Sequence, residues 1–379
     1  MGDVWIAADS IVSPLGLTSE ENYQNIKEGK SGIDVLRNSD YTNDKVYAGW
    51  IQKPLPQYPS VLTRFETISL ISAEKALKKV SLDASSDRVI FILSSTKGNI
   101  ELLENGKSPD KRIHLHETAR VIAEHFNNTQ KPVVVSNACI SGVMAVLVAS
   151  RLLQSARYDH AVIIGADILS RFVISGFQSL QAISPEPCRP FDVKRKGVNL
   201  GEAAATIILS NDPESIGAKK NIKVTGGGLS NDANHISGPS RTGEELAQAI
   251  ENALCQSGIK SKDIDFISAH GTATLYNDEM EAKAFTIANL GHVPLNSLKG
   301  YFGHTLGAAG VVELIISMHS LLNNELIPTF GFDELGVSTP LNVIKQVQSK
   351  ELTTCLKTAS GFGGCNAAII LNKNIPVSS

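Results

Sequence analysis

The sequence feature that most constrains the fold is the segment 132–154, PVVVSNACISGVMAVLVASRLLQ, in which a short apolar run stops and resumes as a longer one. The three consecutive β-branched residues Val133 to Val135 predict a strand buried on both faces. From 141 to 153 there is a single charged residue and no interior proline, which predicts a helix buried on nearly all sides. Cys139 lies at the break, and is therefore predicted at a helix N-terminus.

A cysteine at such a position meets unpaired backbone N–H groups and the positive end of the helix dipole, which both favour the thiolate. The dipole contributes about 0.3–1 kcal/mol, and up to ~2 kcal/mol in a partly buried site. Since one pKa unit corresponds to about 1.36 kcal/mol, the dipole alone lowers the thiol pKa by about one unit. A reactive Cys139 therefore needs a basic partner from elsewhere in the chain.

Length and charge limit the class of protein. The 379 residues exceed the size at which one hydrophobic core stops growing, which predicts two sub-domains. A net charge of −3 argues against a nucleic-acid-binding protein or a general membrane binder. The five cysteines, an odd number without a secretory signal, predict reduced thiols in the cytoplasm. Because CxxC and HExxH spacings are lacking, no metal site is predicted.

The second half of the chain repeats the pattern of the first. AAATIILS at 203–210 resembles NAAIILN at 366–372, and a second long apolar helix is predicted at 306–322. Alternating strands and helices indicate parallel sheets with helices on both sides. We expect two similar α/β halves, 1–215 and 216–379, packed face to face with the two apolar helices between their sheets.

Three further stretches carry residues suited to catalysis. His270-Gly271-Thr272-Ala273-Thr274 follows a predicted strand, and α/β folds present functional loops at strand C-termini. The run 299–304, KGYFGH, precedes the second apolar helix, so that His304 occupies the position that Cys139 has in the first half. The glycines of 361–364, GFGG, allow positive φ and a close approach of the main chain.

These motifs together resemble the β-ketoacyl-acyl-carrier-protein synthases of the KAS I/II type, in the thiolase superfamily. The matching strings, in the family's order, are IVSPLG, SNACISG, CRPFDVKRKGVNLGEAA, HGTATLYND, KGYFGHTLGAAGVVE and GFGGCNA. The resemblance covers essentially the whole chain. It implies a thiolase-like α/β fold with two duplicated halves in an αβαβα arrangement, and a decarboxylating Claisen condensation that extends fatty acids or polyketide-type chains.

The resemblance also implies roles for the residues. Cys139 matches the nucleophile that accepts an acyl chain, and His270 and His304 match the pair that decarboxylates a malonyl thioester. Lys299 matches an active-site lysine that sets the electrostatics around His304. Neutral N–H donors suit a developing enolate oxygen, and each imidazole is expected to donate from Nε2 while the backbone holds its other nitrogen.

Residues around the three catalytic positions are implied in the same way. The backbone N–H groups of Cys139 and Phe362 would form the oxyanion hole, and Phe362 would also be the gate of the acyl pocket. Thr272 and Thr274 match residues that bind the phosphopantetheine arm. The supporting carboxylates would be Asp278, Glu281 and Glu313.

The family works without a bound cofactor, because phosphopantetheine arrives on an acyl carrier protein. Carrier proteins are acidic, so a local basic patch is expected near the tunnel mouth. The candidates are Arg64, Lys194, Arg195 and Lys196. Family members are dimers, and this chain is expected to form a homodimer or to pair with a subunit like a chain-length factor.

Three departures from the family pattern are present. Ala273 replaces a common Gly or Ser, which is a minor steric change. RKGVNLGEAA replaces the usual RDGFVLGEGA, and Asp232-Ala233-Asn234-His235 has Asn where an aromatic residue is common, and these two bear on the shape of the acyl pocket. The GVNLGE form points to a synthase of the aryl polyene or flexirubin-like pigment branch, with housekeeping fatty-acid elongation as the alternative.

Two other functions remain open at the sequence level. A non-catalytic subunit like a chain-length factor would lack the nucleophile, which the intact Cys139, His270 and His304 argue against. A non-decarboxylating thiolase would use a second catalytic cysteine near the C-terminus. Cys365 lies in that region without the CxG pattern, and a structural thiol is the default interpretation.

Overall fold

The computed structural model describes residues 3–36, 41–42, 44–58, 62–104, 110–233 and 238–374. The helices within these ranges are α1 Ser19–Lys27, α2 Arg64–Leu77, α3 Glu101–Glu104, α4 Leu115–His125, α5 Ser141–Gln154, α6 Arg171–Ser179, α7 Glu244–Ser257, α8 Leu275–Ile287, α9 Lys299–Phe302 and α10 Ala309–Asn323. The strands are β1 Val4–Val12, β2 Ile33–Leu36, β3 Val46–Gly49, β4 Val89–Ser94, β5 Val133–Val135, β6 His160–Asp167, β7 Leu200–Gly201, β8 Ala203–Ser210, β9 Ile222–Asn231, β10 Phe266–Ser268, β11 Pro294–Asn296, β12 Glu325–Leu326, β13 Asn342–Val343, β14 Gln348–Ser349, β15 Thr354–Gly361 and β16 Cys365–Lys373.

The two halves have the same strand order and strand directions. In the first half the order is β1-β8-β6-β4-β5, and in the second it is β9-β16-β15-β10-β11. In each series the first two neighbouring pairs are antiparallel and the next two are parallel. The duplication inferred from short sequence similarities therefore extends to the whole topology.

One expectation about the sheets was wrong. The strands are mixed rather than parallel, since β15 and β16 form a hairpin through the short loop at 361–364, and a short loop joins only antiparallel neighbours. The sheets of the two halves are also hydrogen-bonded to each other, because β1 pairs antiparallel with β9, so that both sheet layers belong to one continuous sheet of eleven strands.

The layers follow from what each helix covers. Helices α5 and α10 contact each other and strands of both halves, including β6 and β8 in the first and β15 and β16 in the second. Their residues share one hydrophobic core with those strands. Helices α2 and α4 cover the other face of the first half, and α7 and α8 form a core on the outer side of the second. The result is the expected αβαβα arrangement.

The two ends of the central segment 132–154 behave differently. Helix α5 is buried along most of its length, as predicted. Strand β5, by contrast, is an edge strand that pairs with β4 alone among the described strands, and Val133 and Val134 are half-buried. Helix α6 lies in the stretch between β6 and β7.

Helix α10 and the turn before it, Leu306–Asn323, are long and apolar enough to cross a membrane. However, 83% of this stretch is buried inside the protein. Its hydropathy is explained by its place in the central helical layer.

The central helices cross at two glycines. A Cβ atom at Gly142 of α5 would lie 2.8 Å from the backbone nitrogen of Val311, and one at Gly310 of α10 would lie 2.5 Å from that of Val143. Neither backbone nitrogen can move without displacing its helix. These glycines therefore set the closest distance between the helices that follow Cys139 and His304.

We expect Gly310→Ala to destabilise the fold by about 1–3 kcal/mol, because the added methyl group must push the helices apart. Urea denaturation gives the loss, and condensing activity should fall with it. Gly176→Ala in α6 is the matched control, since no atom of the described residues lies within 4 Å of the position that its Cβ would take. It should be neutral or stabilise by about 0.5–1 kcal/mol, and equal effects of the two substitutions would contradict the close-crossing explanation.

Candidate active site

Cys139 lies between β5 and α5, where the chain turns sharply at Ala138, whose φ is +43°. Only 7% of the Cys139 surface is exposed. Burial raises the pKa of its thiol to about 12, against smaller lowering by the charge of Lys299. Desolvation of the sulfur therefore outweighs the helix dipole, and Cys139 needs a basic partner, as the sequence indicated.

His304 supplies the basic partner that Cys139 needs. Its Nε2 lies 3.0 Å from Cys139 Sγ. The backbone of His304 is held on both sides, since its N–H donates to the carbonyl of Asn199 at 2.7 Å and its carbonyl accepts from the N–H of Gly201 at 3.0 Å. The other ring nitrogen, Nδ1, is buried and has no hydrogen-bond partner in the described part of the chain, so the expected backbone contact is not made there.

His270 completes the cluster. The ring centroids of His270 and His304 are 5.2 Å apart with an interplanar angle of 82°. The sulfur of Cys139 and one ring nitrogen from each of His270 and His304 all lie within 4.8 Å of one another. Burial, followed by the charge of Lys299, holds the pKa of each histidine well below its ordinary value. Both rings are therefore neutral at physiological pH.

Lys299 orients His270 rather than His304. Its Nζ donates to the carbonyl of His270 at 2.6 Å and lies 3.3 Å from Nδ1 of the ring. A proton on Nζ pointing at Nδ1 makes Nδ1 the acceptor, which leaves the His270 proton on Nε2, facing the site. Lys299 also forms an ion pair with Glu313 at 2.7 Å.

Lys357 was not singled out in the sequence, yet it is fully buried beside this group. Its Nζ lies 2.7 Å from the second carboxylate oxygen of Glu313. Burial lowers its pKa, and the neighbouring Lys299 acts in the same direction while Glu313 opposes it. The available signal was a lysine in the middle of a strand of small and apolar residues.

The predicted carboxylates Asp278 and Glu281 fix the loop that carries His270. Glu281 accepts the N–H groups of His270 and Gly271 at 2.8 and 2.6 Å. Asp278 accepts the N–H groups of Phe191 and Ala273 at 2.7 and 3.2 Å, and burial raises its pKa to about 7. These two side chains therefore shape the loop by accepting its main-chain N–H groups, including that of His270.

A cavity of about 490 Å³ leads from the cluster to the surface. Its lining includes Cys139, His270, His304, Thr272, Thr274, Phe177, Phe362 and Lys196. The hydroxyl oxygens of Thr272 and Thr274 are 2.9 Å apart on one wall. The rings of Phe177 and Phe362 lie 5.7 Å apart on another.

The main chain at Gly361 passes directly beside the nucleophile. A Cβ atom at Gly361 would lie 2.9 Å from the backbone nitrogen of Cys139 and 2.9 Å from Sγ of Cys365. This approach brings the backbone of Phe362 near the Cys139 amide. Cys365 is buried, and burial raises its thiol pKa.

The four basic candidates for carrier docking differ in their exposure to solvent. Lys194 and Lys196 are exposed, and Lys196 lines the cavity. Arg64 forms an ion pair with the buried Glu202 and is 30% exposed. Arg195 was wrongly chosen, because it is 7% exposed and its guanidinium donates to two main-chain carbonyls at 3.0 and 2.6 Å.

A thiolase-like fold with one cysteine and two histidines around the inner end of a channel defines the class of condensing enzymes. The N-terminal domain model of the beta-ketoacyl synthases matches residues 1–215, and the C-terminal domain model matches residues 222–333. The chain belongs to the beta-ketoacyl synthase family. It is a condensing enzyme and an acyltransferase.

Individual relatives agree with this assignment. The chain is 30% identical to 3-oxoacyl-[acyl-carrier-protein] synthase 2 of Vibrio cholerae, over 98% of this chain and 99% of that protein. It is 28% identical to the putative polyketide beta-ketoacyl synthase 1 of Streptomyces halstedii, over 81% of each.

Among solved structures, the ketosynthase ApeO in complex with its chain length factor ApeC, from Xenorhabdus doucetiae, matches with a TM-score of 0.89 and 26% identity over 98% of both chains. The ishigamide ketosynthase/chain length factor matches with a TM-score of 0.91 and 25% identity, over 99% of this chain and all of that one.

Proposed function

We propose that this condensing enzyme joins an acyl chain held on Cys139 to a malonyl group delivered by an acyl carrier protein. In the first step the Cys139 sulfur attacks the acyl thioester, its proton passes to Nε2 of His304, and the carrier thiol leaves with a proton. In the second step malonyl thioester loses carbon dioxide, and the resulting enolate carbon attacks the acyl-cysteine. A carbon–carbon bond forms, the bond between the acyl carbon and Cys139 Sγ breaks, and the sulfur leaves as a thiolate that takes up one proton from solvent to restore the thiol.

The observation that carries this proposal is the 3.0 Å contact between Cys139 Sγ and His304 Nε2 inside a cavity that also contains His270. A neutral imidazole at that distance can accept the thiol proton as the thioester arrives. The Nε2–H of His270, fixed by Lys299 on the other nitrogen, is suited to donate to the enolate oxygen. The backbone N–H groups of Cys139 and Phe362 are proposed as the oxyanion hole.

The remaining predicted residues fit the delivery of a tethered substrate. Thr272 and Thr274 are proposed to bind the phosphopantetheine arm, because both hydroxyls line the cavity. Lys194 and Lys196 are proposed to attract the acidic carrier near its mouth. No metal or other cofactor takes part in the proposed steps. A cytoplasmic location stays a prediction from the sequence.

Substitution of the three central residues tests the mechanism. Cys139→Ala should abolish condensation, since no acyl-enzyme forms. Cys139→Gln should also abolish condensation while malonyl decarboxylation persists. Replacing His270 or His304 by Ala should remove decarboxylation, measured as carbon dioxide release from malonyl carrier protein. Acyl labelling that persists in Cys139→Ala, or carbon dioxide release from both histidine variants, would contradict the roles assigned.

The two alternative functions make different predictions for the same assays. A subunit like a chain-length factor would show no acylation of Cys139 when supplied with acyl carrier protein alone. A thiolase would need Cys365 and would leave malonyl thioesters intact. Cys365→Ser is therefore included with the other variants, and on the proposed mechanism it should retain decarboxylation.

We also propose that two subunits pair through the edge strand β5 and the adjacent face of α5. Met144, Val148 and Leu152 are half-buried at i, i+4 and i+8 spacing, which aligns them on one side of α5. An apolar stripe beside an unpaired strand edge favours association across a two-fold axis. The partner would be a second copy of this chain or a subunit like a chain-length factor.

Val148→Glu should convert the dimer to a monomer, because it introduces a charge into the proposed interface. Ile287→Glu is the control, since Ile287 is 50% exposed on the outer helix α8. Sedimentation velocity at several concentrations measures the result. A monomeric unmodified protein that dimerises only when mixed with a chain-length-factor subunit would favour the heterodimer, and a dimer unaffected by Val148→Glu would refute the interface.

For the primer, we propose an unsaturated or aromatic acyl chain, as in the pigment-forming branch. The aromatic pair Phe177 and Phe362 beside the nucleophile supports this choice, because flat conjugated chains stack well on aromatic rings. Mass spectrometry of the products from a panel of acyl carrier proteins should show faster extension of conjugated primers than of saturated ones of equal length. The reverse preference would favour fatty-acid elongation.

A further inference from the structure

Two lysines and one glutamate are buried together behind the histidines. Lys299 and Lys357 have fully buried side chains, and 4% of the Glu313 side chain is exposed. Each oxygen of Glu313 lies 2.7 Å from one ammonium nitrogen. One carboxylate balances one ammonium, so the group carries a surplus of one positive charge.

The ammonium group of Lys357 is held by three main-chain carbonyls. Lys357 lies in the middle of β15, and its Nζ donates to the carbonyls of Ser268, Ala269 and Thr358 at 3.2, 3.1 and 2.7 Å. These carbonyls take its three N–H groups, so the contact with Glu313 is an ion pair rather than an aligned hydrogen bond. Removing a charge of this kind from water is costly, and a neutral side chain of similar length would fill the space.

The surplus is that of the Lys299–Glu313–Lys357 group alone, since the carboxylates of Asp278 and Glu281 also lie nearby and Glu281 interacts with both lysines. Asp278 and Glu281 approach from α8, and their oxygens accept N–H groups of the loop around His270. Lys299 approaches from α9 and Glu313 from α10, and the neutral Cys139 thiol faces His304. Both lysines act on both rings, and each lowers the histidine pKa.

We propose that Lys357 is a positioning residue of the condensing site: it clamps the free oxygen of Glu313, so that the other oxygen holds Lys299 against His270, and it supplies the surplus positive charge beside the two histidines. The role rests on the proposed mechanism, which needs an uncharged His304 to accept the Cys139 proton and an uncharged His270 to donate from Nε2. It acts through Glu313 and Lys299 and does not touch the substrate.

The direct test is the titration of His270 and His304 by NMR on protein with selectively labelled histidines, using Lys357→Met. The neutral side chain removes the surplus charge, so both histidines should begin to bind protons about one pH unit or more higher than in the unmodified protein. Lys357→Gln serves as a second neutral variant. Lys75→Met is the control. Lys75 also donates to a main-chain carbonyl, that of Leu17 at 2.7 Å, but it belongs to α2, which is not one of the elements that hold the buried charges.

A double variant separates charge from structure. In Lys357→Met/Glu313→Gln only Lys299 keeps its charge, so the surplus of one is restored and the histidine midpoints should move back down. A purely structural Lys357 would give greater loss of stability in the double variant and no change of midpoint. Unchanged midpoints in the folded single variants would overturn the proposal.

The unmodified protein supplies a further check that needs no variant. Because folded histidines of lowered pKa bind fewer protons than unfolded ones, the contribution of His270 and His304 to stability should be fully present above about pH 6.5 and should be lost as the pH drops below it. A histidine midpoint near 6.5 in the unmodified protein would refute the proposal even if the variants failed to fold. The outcome is independent of condensation: a protein without condensing activity whose midpoints still shift would refute the proposed function and leave the role of Lys357 in place.

Discussion

The active site depends on the close crossing of α5 and α10. Cys139 and His304 are separated by 165 positions in the chain, and they meet because each precedes one of these two helices. Glycines at the crossing let the helix backbones approach within contact distance. The duplicated topology then turns two equivalent chain positions, one in each half, into neighbours across the pseudo-symmetry axis.

Burial around this crossing determines which proton states are available. A buried thiolate and a buried imidazolium each cost more than the neutral pair, and the nearby ammonium groups make the imidazolium costlier still. The resting pair is therefore a thiol beside a neutral imidazole, 3.0 Å apart. On the proposed mechanism, the proton moves only as the thioester carbonyl accepts the sulfur, so that charge develops on the carbonyl oxygen near the backbone amides.

Local patterns in the sequence were enough to locate much of this arrangement. The apolar helix after Cys139, the second one after His304 and the loop at 361–364 were all predicted, because each follows from hydrophobic spacing or glycine content. Strand direction and the junction of β1 with β9 were not, since pairing between distant strands leaves little local signal. Arg195 shows the same limit, because a basic cluster in sequence does not reveal which member turns inward.

The buried charges were the hardest part to foresee, and the reason is physical. Glu313 was recognisable, since a lone carboxylate on an otherwise apolar helix must have a partner. Its two partners come from α9 and β15, and only Lys299 lay in a recognisable motif. Lys357 is explained by the tertiary structure alone: three carbonyls at the end of β10 and along β15 converge on its ammonium, and the same carboxylate that holds Lys299 closes the group. The local signal, a lysine within a strand of small and apolar residues, shows that the charge must be paired but does not reveal that three carbonyls and one carboxylate from three elements surround it or that it acts on both histidines.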